Sequence, residues 1–321
     1  MGKKDNAQKT FYDDNERFAD LYNGIIFHGE QIIKPEELSE ADPNIVYYTQ
    51  REYQSLIPDK VKKWNGTHLA ILTLENQSLV DYSMVFRAMK TESVSYDKQL
   101  RKRKRYNKKY KTYDNNAEFI CGIKKNDKFI PIIIIVLYLG RDAKWDGATS
   151  LYDMLYMDKR LEPYITNYRL NLYDYHDHDD FSMFKTENRE LFELLSCSGD
   201  EKKMDTLIHA NANRYHEIDA DAANVINLVA GIDITLNKNI NTDGQEVVNM
   251  CKAWDDHWNE GKIEGKIESS VETIFMLLER FGKLPQKLQS IIENEKNHDI
   301  LKTWIMYAAQ CTSVEEFMQR I

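Results

Sequence analysis

The run Pro131-Ile-Ile-Ile-Ile-Val-Leu-Tyr-Leu-Gly140 constrains this chain more than any other stretch. It is rich in β-branched residues and bounded by Pro and Gly, and it falls far short of the ~20 residues that span a bilayer. It therefore predicts a central strand buried on both faces. A second apolar run, Thr67-His-Leu-Ala-Ile-Leu-Thr-Leu-Glu75, stops abruptly at Glu75-Asn-Gln77. It reads as a buried strand whose last residues emerge at a sheet edge. A further short strand is expected at Arg169–Tyr173.

Helical spacing surrounds these strands. Asp13, Asp14 and Asn15 offer an N-cap ahead of Phe18, Leu21, Tyr22 and Ile25, and Gly24 and Gly29 bracket the end. A second helix is predicted from Tyr82 to about Lys104, while the polar stretch Pro35–Pro43 reads as a loop. Beyond Asn188 no comparable β-branched run appears, and Ala220–Ala230, Val271–Phe281 and Leu301–Ala309 carry helical periodicity. The expected organisation is an α/β domain over 1–190 followed by an α-helical region over 191–321.

Composition then removes several classes. Four cysteines without a C-x-x-C pair argue against a structural zinc cluster, and each reads as a small buried thiol. The start Met1-Gly-Lys-Lys-Asp-Asn6 lacks the apolar stretch of a signal peptide, so a cytoplasmic protein with no membrane partner is expected. With 43 Lys plus Arg against 52 Asp plus Glu, the net charge is −9, which leaves any nucleic-acid affinity to a local patch. One such patch exists. Lys98 to Lys111 holds nine basic residues, no acids and two interleaved tyrosines. Phosphate contacts of that kind are sequence-independent and salt-sensitive, and tyrosines can stack on exposed bases.

The candidate chemistry lies at the end of the second strand. Positions i and i+2 of a strand share a face, so Glu75 and Gln77 would project together. If Asp59 lies on a neighbouring antiparallel strand, two carboxylates and an amide converge at one sheet edge. Oxygen donors of this type suit Mg²⁺ or Mn²⁺. His176-Asp-His-Asp-Asp180 looks like a metal cluster at first sight, but no downstream His or Cys completes it, and a solvated acidic loop is the plainer reading. Gly261-Lys-Ile-Glu-Gly-Lys-Ile-Glu268 reads as a helix with exposed Lys/Glu pairs, its glycines giving flexibility or close packing.

Several separated stretches, in order, resemble one family: Asn15-Glu-Arg-Phe-Ala-Asp-Leu-Tyr-Asn-Gly24, Leu74 to Arg87, Tyr96-Asp-Lys-Gln99, Pro131 to Leu155 with Trp145-Asp-Gly147, Asn249 to Ala253 and Gly261 to Gly265. The chain is similar to the recombination-promoting nuclease (Rpn) / putative transposase family of the PD-(D/E)xK nuclease superfamily. The resemblance implies a restriction-endonuclease-like core of a helix, a mixed sheet and a second helix. It implies Mg²⁺-dependent hydrolysis of DNA, with Asp59 and Glu75 as metal ligands and Gln77 in the place of the superfamily's Lys. An acid of the first helix, Asp20 in preference to Glu16, would be the fourth participant. Gln99 and Arg87 would line the cleft, and Lys98, Arg101, Lys102, Arg103, Lys104, Arg105, Lys108 and Lys109 would grip the DNA backbone.

Plainer alternatives stand beside these. Arg87 reads equally as an ion-paired residue, Tyr96 as a core aromatic and the basic run as a solvated helix face. A catalytically weak DNA-binding or regulatory protein retaining the nuclease fold is the second function expected, and a helical interaction protein with a structural sheet is the third. The C-terminal helices are expected to serve packing, a homo-oligomer or partner contact.

Overall fold

The computed structural model describes residues 10–41, 60–65, 67–74 and 80–321, with the backbone alone at 70–74. Contacts divide the chain into two units, one up to Val248 and the other Asn249–Ile321.

The first unit opens with α1 (Asn15–Ile25), capped by the Asp14 carboxylate, which accepts from the Glu16 and Arg17 amides. A five-stranded sheet follows in the order β1 (Leu38–Glu40), β2 (Lys60–Trp64), β3 (Thr67–Leu74), β4 (Ile132–Tyr138), β5 (Asn171–Asp174). The β1–β2 and β2–β3 pairs are antiparallel, and β3–β4 and β4–β5 are parallel. The fold is therefore α/β with a mixed sheet, as the strand signals require. Between β3 and β4 run α2 (Met84–Tyr110) and the short α3 (Asn116–Cys121).

β4 behaves as its composition dictates. Ile135, Val136 and Leu137 are at most 1% exposed, and burial of each contributes about 1.5–3 kcal/mol. Even-numbered Ile134, Val136 and Tyr138 share a core with Met84 and Ala88 of α2, and with Val61 and Trp145. Odd-numbered residues face the other side, where the Tyr22 hydroxyl of α1 donates to the Ile133 carbonyl. There Tyr173 of β5 packs edge-on against Phe184, whose ring sits against Gly24. The alternation in β2 is less legible. Val61 joins the α2-side core, but Lys62 is fully buried on the opposite face and donates to the Asp13 carbonyl at the start of α1.

The unit continues through α4 (Asn188–Ser196), α5 (Glu201–Ala210), α6 (Ala212–Tyr215), β6 (Ile218–Asp219), α7 (Ala220–Ala230), β7 (Lys238–Ile240) and β8 (Glu246–Val248), the three strands forming a small sheet. The boundary expected near 190 thus falls inside α4. The physical reason is that α1 is tied to this segment: Arg17 pairs with Glu187 and Asp219, and the Asn188 amide donates to the Arg17 carbonyl. Two other differences concern short edge elements. The stretch expected to be a loop at 35–43 contains β1, and β6–β8 lie in the region expected to be purely helical. Strands of two or three residues carry no readable alternation.

The second unit holds α8 (Met250–Leu278), α9 (Gln286–Asn294), α10 (His298–Gln310) and α11 (Val314–Arg320). Ile274, Leu278, Leu288, Ile292, Leu301 and Phe317 form its core. Residues 255–266 of α8 are exposed all round, and a Cβ at Gly261 or Gly265 would meet open space, so these glycines do not serve close packing. Among the described residues no helix is long and apolar enough to cross a membrane. The four cysteines also divide: Cys251 and Cys311 are buried as expected, Cys197 is half-buried and Cys121 is exposed.

Candidate functional site

The topology brings four chain segments to one end of the sheet. Because β3, β4 and β5 are parallel, their last residues stand in line, Leu74 beside Tyr138 and Tyr138 beside Asp174. Because β2 is antiparallel to β3, with Lys60 opposite Ile71, β2 begins at that same end. The carboxyl end of parallel strands is where open α/β sheets place their ligand sites. Asp59, Glu75 and Gln77 lie outside the described residues. In chain order Asp59 immediately precedes β2 and Glu75 immediately follows β3.

The described residues at this end form a polar cluster. The buried Asp174 carboxylate accepts from the Trp145 amide at 2.7 Å, the His176 amide at 3.0 Å and His176 Nδ1 at 2.6 Å. A carboxylate can only accept, so Nδ1 is the donor of this pair. A carboxylate-held imidazole of this kind can move a proton. Tyr138 donates to the Ala143 carbonyl, and burial, reinforced by Asp174, pushes its phenol above the usual range. Arg87 stands in the first turn of α2. Its Nη1 lies 3.5 Å from Asp81, and its buried Nε has no hydrogen-bond partner among the described residues.

The other histidine of the 176–180 stretch is not a companion ligand. His178 lies flat on Tyr173, 4.9 Å between ring centres, while His176 is held by Asp174. Among the described residues no group of three His, Cys, Asp or Glu is arranged to hold a metal. What the sequence reading missed here is Asp174. The one available signal was its position at the end of a short strand, two residues before His176.

Asp20 is occupied elsewhere. It is 3% exposed and accepts from the Lys185 amide, the Thr186 amide, the Thr186 hydroxyl and the Asn188 side-chain amide, at 2.7–3.2 Å. Those bonds fix α1 to the turn that starts α4. Gln99 also makes a structural bond pair, accepting from the Ile130 amide at 2.7 Å and donating to its carbonyl at 3.0 Å, as a strand partner would. The Tyr96 hydroxyl accepts from the Ile132 amide. Both contacts lie at the amino end of β4. Since α2 runs antiparallel to β4, Arg87 and Gln99 sit at opposite ends of the sheet, about 18 Å apart along the helix. The structure does not bring these two together.

The basic half of α2 continues beyond Gln99. Arg101 pairs with Asp97, and Arg103 lies 3.6 Å from Asp127. Lys102, Lys104, Arg105, Lys108 and Lys109 are exposed, and none has an ion pair among the described residues. Lys98 is half-buried.

A family model described as "Putative transposase, YhgA-like" matches residues 51–219, a little over half of the chain. The chain belongs to this family. The matched span runs through β2 to β5 and on to the end of β6, so the family's region holds both flanks of the sheet end and the basic helix. It leaves out α1 and the second unit. Searches of curated proteins and of solved structures returned no match.

Proposed function

We propose that this transposase-family protein is a metal-dependent DNA endonuclease with a restriction-endonuclease-like core, acting in DNA recombination or mobility. The observation that carries the reading is the antiparallel pairing of β2 and β3: the chain enters β2 just after Asp59 and leaves β3 just before Glu75, at one end of the sheet. The mixed five-stranded sheet also supports the reading, since the family resemblance implies a mixed sheet between helices. Two carboxylates and an amide oxygen are the donor set that fits Mg²⁺ or Mn²⁺, and the bound ion would neutralise charge on the phosphate.

In this reading Asp59 and Glu75 hold the ion and the Gln77 amide orients the attacking water. Arg87 offers positive charge to the phosphate from the start of α2. Asp174 lies about 10 Å from Leu74 across two strand spacings, and His176, which it holds, takes a proton from the attacking water. Asp20 and Gln99 have no part, since their polar atoms are spent on the scaffold.

A second reading, a DNA-binding regulatory protein that keeps the fold without cleaving, is favoured by the full engagement of Asp20. Plasmid nicking at low salt separates the two. Wild type should nick with Mg²⁺ or Mn²⁺ and not in EDTA, Glu75→Ala should be inactive, and His176→Gln should lose about 10²-fold or more. Binding without cleavage in any metal transfers the conclusion to the regulatory protein, and cleavage surviving in Glu75→Ala puts the site elsewhere.

A further inference from the structure

The basic half of α2 is not at the proposed cleavage edge. The helix starts beside the carboxyl ends of the strands, passes the amino end of β4 at Gln99 some ~22 Å later, and carries its cations onward from there. A phosphate gripped near Lys108 is therefore a helix length away from the scissile one.

This distal surface is more than a charged face. Tyr106 and Tyr110 stand one turn apart, 51% and 56% exposed, with ring centres 4.7 Å apart. Arg103 and Lys109 lie over the two rings at 5.8 and 5.1 Å. On the adjoining α3, Phe119 is 68% exposed and Ile120 83%. The platform is rigid, because buried Asn107 donates to the Gly122 carbonyl and to Asp127, and the Thr112 hydroxyl donates back to it. In an isolated helix such exposed rings would be a liability, and clustered exposed apolar groups mark an interaction site.

We propose that the carboxyl half of α2, with Tyr106 and Tyr110 at its centre, binds single-stranded DNA at a site separate from the cleavage edge. The cations match phosphate charge, and they would do so for duplex as well as single strand. The tyrosine faces decide between the two, since a duplex keeps its base faces stacked inside while an unpaired strand offers them to aromatic rings. The inference deepens the nuclease reading by naming the strand state of the DNA the protein holds, and it stands on binding alone.

The test is fluorescence anisotropy in EDTA, using full-length protein with a labelled oligothymidylate and with the matching duplex, across a salt series. Wild type should bind the single strand more tightly than the duplex. Tyr106→Ala/Tyr110→Ala should weaken the single strand by about 10-fold and leave the duplex unchanged. Lys108→Gln/Lys109→Gln should weaken both and flatten the salt slope by about 1–2. Both tyrosines are exposed, and circular dichroism will confirm that the variants fold. Equal affinity for the two probes, insensitivity to the tyrosine change, or no binding at low salt would each overturn the proposal. Because this assay reads binding in EDTA, loss of nicking and loss of strand binding are read separately.

Discussion

Asp20 and His68 show how a single buried polar residue can be assigned by its partners. Removing the Asp20 carboxylate leaves the buried amides of Lys185 and Thr186 without an acceptor. Asp20→Ala should therefore lose about 2–4 kcal/mol in urea unfolding. An unchanged midpoint with lost nicking would return Asp20 to the active site. His68, on β3 between Lys63 and Ile132, is 1% exposed, and neither ring nitrogen has a partner among the described residues. Burial, helped by the charge of Lys63, pushes its imidazole below the ordinary 6.5. The fold therefore holds the neutral ring, and the unfolded chain takes up a proton first as pH falls. Stability is complete above about pH 6.5 and declines below it until the folded-state value is passed. Comparing urea midpoints at about pH 7.5 and about pH 5.5 should show this decline, and His68→Leu should reduce it. An equal slope in the variant would mean that other groups carry the effect.

At the scale of elements, two glycine environments make opposite forecasts. A Cβ at Gly24, inside α1, would stand 2.3 Å from the Phe184 ring, which is itself packed against Tyr173 and Phe192. Gly24→Ala should cost about 1–3 kcal/mol. Gly261 and Gly265 sit in the exposed middle of α8 with no neighbour within 4 Å, so alanine there should stabilise the helix by up to about 1 kcal/mol each. Thermal melts of the three variants check both signs, and a destabilised Gly261→Ala would indicate a helix contact made only between copies of the chain. The same scale shows what was readable in advance. Asp14 capping α1, the β-branched run of β4 and the periodic Ala220–Ala230 of α7 all form where their local patterns place them, because capping and periodicity are short-range properties. β1, whose Leu38 is opposite Trp64, could not be read that way, since its only signal is its partner.

For the whole molecule, the two separate cores predict separate stabilities. Ile135 and Leu137 report the first unit and buried Cys311, next to Ala308, the second. In a urea series, hydrogen exchange of β4 and thiol labelling of Cys311 should show different midpoints, while exposed Cys121 labels at once in the native protein. One shared midpoint would show that the units unfold together. The charge balance belongs to this scale too: in a chain of net charge −9, the carboxyl half of α2 is a local concentration of cations.

By itself the sequence determined the local elements, the mixed α/β class and the concentration of positive charge, since composition, caps and hydrophobic period act between near neighbours. The family, too, was legible in ordered short stretches. Only the tertiary structure decided what those residues do together. It spent Asp20 and Gln99 on holding the scaffold, drew residues 185–219 into the first unit through Arg17, and set the basic helix end far from the carboxyl ends of the parallel strands. These are outcomes of register and packing between segments remote in the chain, where a buried carboxylate or amide is satisfied by whichever donor the fold brings to it.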